Sequence, residues 1–208
     1  MPQSLTQLTR SLCVAQSAFY LTSAGIFVDE GRALLIDPGL LPSDIEAIRD
    51  HVAKQGASPQ AIVLTHCHWD HILGPERFPG VRAVAQATFP EEARGRRNAR
   101  FLRQVEEWEG QQAIGRTTPF VIPSPDETVT HNRTLEVGNL ALQLMHAPGH
   151  AADQLVAYEP GSGALWAADM LSDQEIPYVS HSLAAYERTL AALSALVVQV
   201  LVPGHGHA

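Results

Sequence analysis

Thiol chemistry is scarce in this 208-residue chain. Its two cysteines, Cys13 and Cys67, lie far apart and form no Cys-x-x-Cys pair, so neither a disulfide framework nor a sulfur-ligated zinc site is indicated. Aromatic residues are few at 6% and charged ones make up 17%, against 45% hydrophobic, a balance that suits a folded globular chain and disfavours a disordered or fibrous one. No apolar run approaches the ~18 residues that span a bilayer, which argues against membrane contact. The opening MPQSLTQLTR has neither the basic nor the apolar stretch of a secretory signal, and the expected address is the cytoplasm. Excess positive charge is missing as well. Lys and Arg number 14 against 22 Asp and Glu, and the net charge of −8 repels a polyanion, arguing against nucleic acid as a partner. Internal repeats and low-complexity linkers are absent, and the length suits one domain over 1–208.

What is present is a regular succession of short apolar runs. GIFVDE and RALLIDPG read as strands ended by turn signals. Pro42 opens a helix over about 42–55, with Ile45, Ile48 and Val52 on one face and Gly56 as its stop. Ala61 to Leu64 is a buried strand that delivers Thr65 and His66 to its C-terminal end. A short helix near 70–78 and a strand near 82–86 follow. The stretch 89–131 has a different composition, rich in Arg and Glu and then in Pro119, Pro123 and Pro125, and reads as a helical insertion or lid. Strand patterns return at 134–146 and 154–169, then a helix from Ser182 to Leu196 and the strand VQVLVP. The two halves are alike, and helices outside two packed sheets are the simplest arrangement.

The ten histidines carry the chemistry, since five of them fall into three short clusters. Thr65-His66-Cys67-His68-Trp69-Asp70-His71 places three imidazoles and a carboxylate directly after a buried strand. His66 and His68 share a side if the segment is extended, while Cys67 and Trp69 point into the packing. Pro148-Gly149-His150 and Pro203-Gly204-His205 each end an apolar strand with a turn that presents His. Asp169 closes ALWAADM, where a carboxylate is costly to bury without a cation or hydrogen bonds. Seven donors exceed what one four-coordinate ion can use, so two ions are expected. Imidazole and carboxylate without thiolate suit zinc, and accommodate iron or manganese.

With these residues in place, the sequence resembles the metallo-β-lactamase-fold hydrolase superfamily. The pattern His-x-His-x-Asp-His, followed by a His, an Asp and a His after later strands, is matched by His66, His68, Asp70, His71, His150, Asp169 and His205. The resemblance implies an α/β fold, a four-layer αβ/βα sandwich of two mixed β-sheets flanked by helices. It also implies that His66, His68 and His150 hold one metal and Asp70, His71 and His205 the other, with Asp169 bridging them. Asp37, in the early Asp-Pro-Gly turn, would support the ligand loop from behind.

An open dinuclear site points to catalysis. A metal-bridging hydroxide, oriented by Asp70, would attack the carbonyl of a small ester, thioester or lactone. The alternatives are a phosphodiesterase or nuclease on the same metal pair, a β-lactamase-like amide hydrolase, and a metal-binding sensor with little turnover. Asp169, where penicillin-cleaving relatives commonly carry Cys or Ser, points away from a dedicated β-lactamase. His68, where flavin-linked diiron relatives carry an acid, points away from those. Glyoxalase-II-like thioesterases share all seven ligands but add a C-terminal helical region, while this sequence stops three residues after His205. Lactonases of acyl homoserine lactones often carry Tyr three residues after the bridging Asp, where Ser172 stands here; Tyr178 could bind the substrate carbonyl instead. In the insertion, Arg96, Arg100 and Arg103 share a helical face, with Phe101, Leu102, Val105 and Trp108 as an apolar underside. The plain reading is a solvated, salt-bridged helix. The functional reading is a lid over an anionic small-molecule substrate, and the apolar residues there suggest a homodimer. His146 and His207 stand close to the ligand positions in sequence, and His51, His131 and His181 have no ligand context.

Overall fold

The computed structural model describes residues 4–94, 96–115, 120–174 and 176–208, with side chains left out at 96–98. Four strands open the chain: β1 (Ser4–Gln7), β2 (Leu12–Gln16), β3 (Ser23–Asp29) and β4 (Arg32–Ile36). After them come α1 (Pro42–Lys54), β5 (Ser58–Val63), β6 (Arg82–Gln86), α2 (Phe89–Ala93), α3 (Arg96–Gln111) and β7 (Glu127–Val129). The rest is β8 (Arg133–Val137), β9 (Leu140–His146), β10 (Leu155–Glu159), β11 (Ala164–Ser172), α4 (Leu183–Leu193) and β12 (Val200–His205). Strands β1 to β7 form one sheet in chain order, antiparallel up to β4 and parallel from β4 onward. The second sheet runs β12-β11-β10-β9-β8, with β11 and β12 parallel and the other pairs antiparallel.

Both sheets are mixed, and the alternation of side chains along them makes four layers. In β4, Leu34 and Ile36 turn inward to meet Leu142, Leu144, Leu155, Trp166 and Val202 of the other sheet. Ala33 and Leu35 turn outward onto Ile45, Ile48 and Val52 of α1, the face expected for that helix. In β10, Leu155 and Ala157 face inward while Val156 and Tyr158 pack with Tyr186 and Leu193 of α4. A strand buried on both faces reads as a continuous apolar run, which is why RALLI and LVAY lack alternation. In β8 and β9, whose outer face is exposed, alternation is clean: Leu135, Val137, Leu142 and Leu144 are buried, and Glu136 and Gln143 are exposed.

Several elements differ from their expected form. The helix expected near 70–78 is two 3-10 turns, Trp69–His71 and Pro75–Arg77. Pro75 has no N–H to continue a helix and starts a new turn instead. The insertion holds α2 and α3 as expected, but it also supplies β7, which pairs with β6 and extends the first sheet. Phe101, Val105 and Trp108 of α3 join the core shared with α1, so the expected apolar underside is packed against the domain. The side chains of Arg96 and Arg97, and Pro119, lie outside the described residues.

Candidate metal centre

Each site residue sits at or near the end of a strand, and all of them gather at one edge between the sheets. Parallel β4 and β5 deliver Asp37 and the loop Thr65–His71. The turn after β9 delivers His150, β11 delivers Asp169, and β12 ends on His205. Thr22, in the turn between β2 and β3, forms an isolated bridge with His205 and ties the sheets together at this edge. The two Pro-Gly-His turns need glycine because other segments of the chain come close. A Cβ at Gly149 would lie 2.6 Å from the backbone of Tyr186, and one at Gly204 would run into the Asp169 carboxylate. Asp169 lies inside β11, at a break in its register with β12, where Ala168 has a φ of 47°. That bulge aims the carboxylate inward.

Hydrogen bonds fix which imidazole nitrogen faces the centre. Asp37, fully buried, accepts from the Thr65 backbone N–H at 2.9 Å, from the Thr65 hydroxyl at 2.6 Å and from His71 Nδ1 at 3.0 Å. The Thr65 oxygen, its proton committed to Asp37, accepts from His66 Nδ1 at 3.1 Å. His150 Nδ1 donates to the Tyr178 carbonyl at 2.6 Å, and His205 Nδ1 donates to the Tyr20 carbonyl at 2.9 Å. The Nε2 atoms of His66, His71, His150 and His205 are thereby left facing inward without a proton in the neutral rings.

Two clusters of donors result. His66 Nε2 and His150 Nε2 lie 3.0 and 2.9 Å from His68 Nδ1, with Asp169 Oδ2 at 3.8 and 3.4 Å from the first two. At most one proton can sit among those three nitrogens, so lone pairs face one another. A tetrahedral zinc site with bonds of ~2.05 Å has donor–donor edges of about 3.3 Å, close to this spacing. In the second cluster Asp70 Oδ2 is 3.2 Å from His205 Nε2 and 3.8 Å from His71 Nε2, and Asp169 reaches both rings, at 3.2 Å to His71 and 3.5 Å to His205. His71 Nε2 and Asp169 Oδ1 are buried and face each other at 3.2 Å; against the effect of burial, the charges of Asp169 and Asp70 draw His71 well above the ordinary histidine range, and a cation seated there would take the place of that proton.

The electrostatics agree. Burial first, then the charge of His71, holds His66 well below the ordinary histidine range; burial and His150 push His68 down to about 4, and burial lowers His150. Neutral imidazole is the form that binds a metal. Burial opposes charge on His205 too, but hydrogen bonds to Asp169 and Asp70 raise it to about 10. Positive charge is thus drawn to the spot between those carboxylates. Chemically, the donor set fits divalent cations.

All seven expected donors come together here. Cys67 is buried in the packing as expected, and half-buried Trp69 packs against the core while also lining the cavity beside the centre. Tyr178 also lines it, with its ring largely exposed. His207 is occupied by Asp173 at 2.9 Å, and His146 by the Ala152 carbonyl at 2.8 Å, so neither joins the centre. Sequence reasoning passed over Thr65, the carbonyls of Tyr20 and Tyr178, and Asp153. Asp153, fully buried three residues after His150, accepts the Cys67 backbone N–H at 2.9 Å and so joins the two ligand loops. Its signal was an acid beside Gln154 directly before the apolar run of β10.

The profile of the metallo-beta-lactamase superfamily matches residues 18–205, nearly the whole chain. The chain belongs to this superfamily. Its curated relatives include the acyl-coenzyme A thioesterase MBLAC2 of Gallus gallus, 27% identical over 91% of this chain and 76% of that protein. Another is the hydroxyacylglutathione hydrolase of Stenotrophomonas maltophilia (strain R551-3), 37% identical over 50% of this chain and 37% of that protein. The chain spans between 58% and 76% of the length of the first four relatives it matches. A metallo-beta-lactamase from Pontibacter korlensis superposes with a TM-score of 0.74 at 19% identity, covering 99% of this chain and 92% of that one. The BLEG-1 B3 metallo-beta-lactamase gives 0.72 at 20%, covering 93% and 91%. At such identities the structural likeness speaks for the fold. Family and donor set together make the chain a metal-dependent hydrolase. Among the described residues no helix is long and apolar enough to cross a membrane.

Proposed function

We propose that the chain is a dinuclear metal-dependent hydrolase of small thioesters, with esters and lactones as related substrates. One observation carries the reading: seven donors converge in two adjoining clusters, with Asp169 within 3.8 Å of rings in both. His66, His68 and His150 would hold one ion and Asp70, His71 and His205 the other, with Asp169 shared; zinc suits the donors, as do iron and manganese. The thioester preference is supported by the relatives named for acyl-coenzyme A thioesters and hydroxyacylglutathione.

A bound pair of divalent ions would supply an activated water and polarise the carbonyl oxygen. The chain's own part is positioning and proton handling. Asp37, Thr65 and the carbonyls of Tyr20 and Tyr178 hold four imidazoles in fixed orientation, so the centre need not reorganise during reaction. Asp70 lines the cavity and would orient the attacking water and accept its proton. A C–O bond forms at the acyl carbon, the C–S bond breaks, and the proton passes to the departing sulfur. The Tyr178 phenol, which lines the cavity, would donate to the substrate carbonyl, and Tyr178→Phe is expected to lower kcat by about tenfold or less.

Metal analysis paired with a panel of thioester, ester, lactone, β-lactam and bis(p-nitrophenyl) phosphate tests the reading. Two ions per chain, with thioester turnover abolished by chelation and restored by Zn2+, is expected. Full activity in protein verified to be metal-free overturns it. Faster phosphodiester turnover would assign the centre to phosphoryl chemistry instead.

A further inference from the structure

The cavity over the centre has a volume of about 560 Å³, within the range of small-molecule sites. Apart from the ligands Asp70, His150, Asp169 and His205, its described lining is neutral. Tyr20, Leu21, Trp69, Leu171, Pro177 and Tyr178 provide ring and aliphatic surface, and Gln104, Ser172 and Gln174 add uncharged polar groups. No Lys or Arg is among the described lining residues. Among the described side chains of α3 only Gln104 reaches the cavity, while Arg100 and Arg103 are exposed to solvent. An anionic group seated here would meet no described cation beyond the centre itself and would lose its hydration without return.

The apolar wall is held in place by the backbone. Tyr20 and Leu21 both lie in the left-handed region, at φ 56° and 47°, a conformation that is strained for side-chain-bearing residues. It is maintained by Ser17 N–H to the Thr22 carbonyl at 2.9 Å, by Thr22 N–H to the Phe19 carbonyl at 3.2 Å, and by His205 Nδ1 donating to the Tyr20 carbonyl. The Tyr20 ring stands edge-on to Trp69 at 6.2 Å, yet 57% of the residue is exposed. Strained backbone thus keeps an aromatic ring at the cavity with much of its surface in water, where a flat apolar group could cover it.

Resting on the thioesterase reading, we propose that Tyr20 and Trp69 form an acyl-group subsite that selects thioesters of uncharged, ring-bearing acyl groups, the thiol carrier extending outward into solvent. A substrate carbonyl at the centre has one substituent on each side. The neutral cavity takes the apolar one, and a charged carrier keeps its hydration outside.

The test uses the Zn2+-loaded protein and thioesters of one uncharged thiol, N-acetylcysteamine, carrying acetyl, phenylacetyl or succinyl groups. The expected kcat/KM for phenylacetyl exceeds acetyl by about tenfold or more, with succinyl at or below acetyl. Tyr20→Ala is expected to bring the phenylacetyl-to-acetyl ratio within threefold. A readout independent of turnover is tryptophan fluorescence titrated with phenylacetamide. Trp108 and Trp166 are buried, so a saturable change should come from half-buried Trp69 and vanish in Trp69→Phe. Equal rates across the series without a saturable signal overturn the subsite, and a preference for succinyl replaces it with an anion site. A saturable phenylacetamide signal with no turnover of any thioester sinks the thioesterase reading while the subsite stands.

Discussion

A single carboxylate, Asp37, sets the orientation of two of the seven donors: directly for His71, and through the Thr65 hydroxyl for His66. Asp37→Ala would free both rings to rotate and leave the buried Thr65 N–H unpaired, a cost of about 1–3 kcal/mol. Metal affinity, measured by chelator competition, should fall by about 10–100-fold even though every ligand remains. Unchanged affinity would show that packing alone orients the rings. Asp153 plays a different part. Burial raises its carboxyl from 3.8 to about 6, so the folded protein holds that proton more tightly than the unfolded chain does. Its contribution to stability is therefore full below about pH 4 and lost as pH rises through about 6. Asp153→Asn cannot titrate, and in metal-free protein the wild type should lose stability relative to it between about pH 4 and 7, read from urea midpoints. A wild type that gains instead would show the carboxylate to be ionised and paired in the fold.

At the scale of elements, β11 shows how a strand places a charged group beside a core. Ala164 to Ala168 are fully buried, and the break in register at Ala168 turns the chain so that Asp169 meets imidazoles. Ala168 takes a φ of 47°, tolerable for a small side chain and strained for a β-branched one. Ala168→Val should cost about 1–3 kcal/mol from the backbone, with further loss from crowding a site that has no free volume. The measurement is thermal unfolding with metal content, and Ala168→Gly serves as the comparison that keeps the bulge. A valine variant with native stability would mean the strand can straighten without moving Asp169. The helix α3 acts on the other side of the ligand loop, where Trp108 packs at 5.0 Å from Trp69 and Phe101 lies 6.3 Å from His68. The stretch read from sequence as a helical insertion or lid is in this way joined to the core beside the donors.

For the whole molecule, the site is also a structural junction. Its donors come from both sheets, and without a cation the lone pairs of His66, His68 and His150 crowd one another. Metal removal should therefore lower stability as well as activity. Ions present at about 100 times their dissociation constant add about 2.7 kcal/mol, equal to a rise in Tm of roughly 5–10 °C for a domain of this size. Calorimetry with and without chelator checks this, and no change in Tm would show the two sheets to be held by their apolar interface alone.

The donors that converge at the centre were legible from sequence because His66, His68, Asp70 and His71 crowd into one short segment, and because Pro-Gly-His recurs after apolar strands. Hydrophobic periodicity likewise marked α1, α4 and most strands, since a buried face demands apolar residues at fixed spacing. What no local pattern could specify was how the ligand pieces approach one another. Asp169 depends on a bulge whose left-handed residue is an ordinary alanine, and β7 emerged from a turn-rich insertion because β6 offered it an unpaired edge. The carbonyls that orient His150 and His205 carry no side-chain signature at all. Backbone atoms are the same in every residue, so their placement against a ring 28 or 185 positions away is decided only when the chain packs.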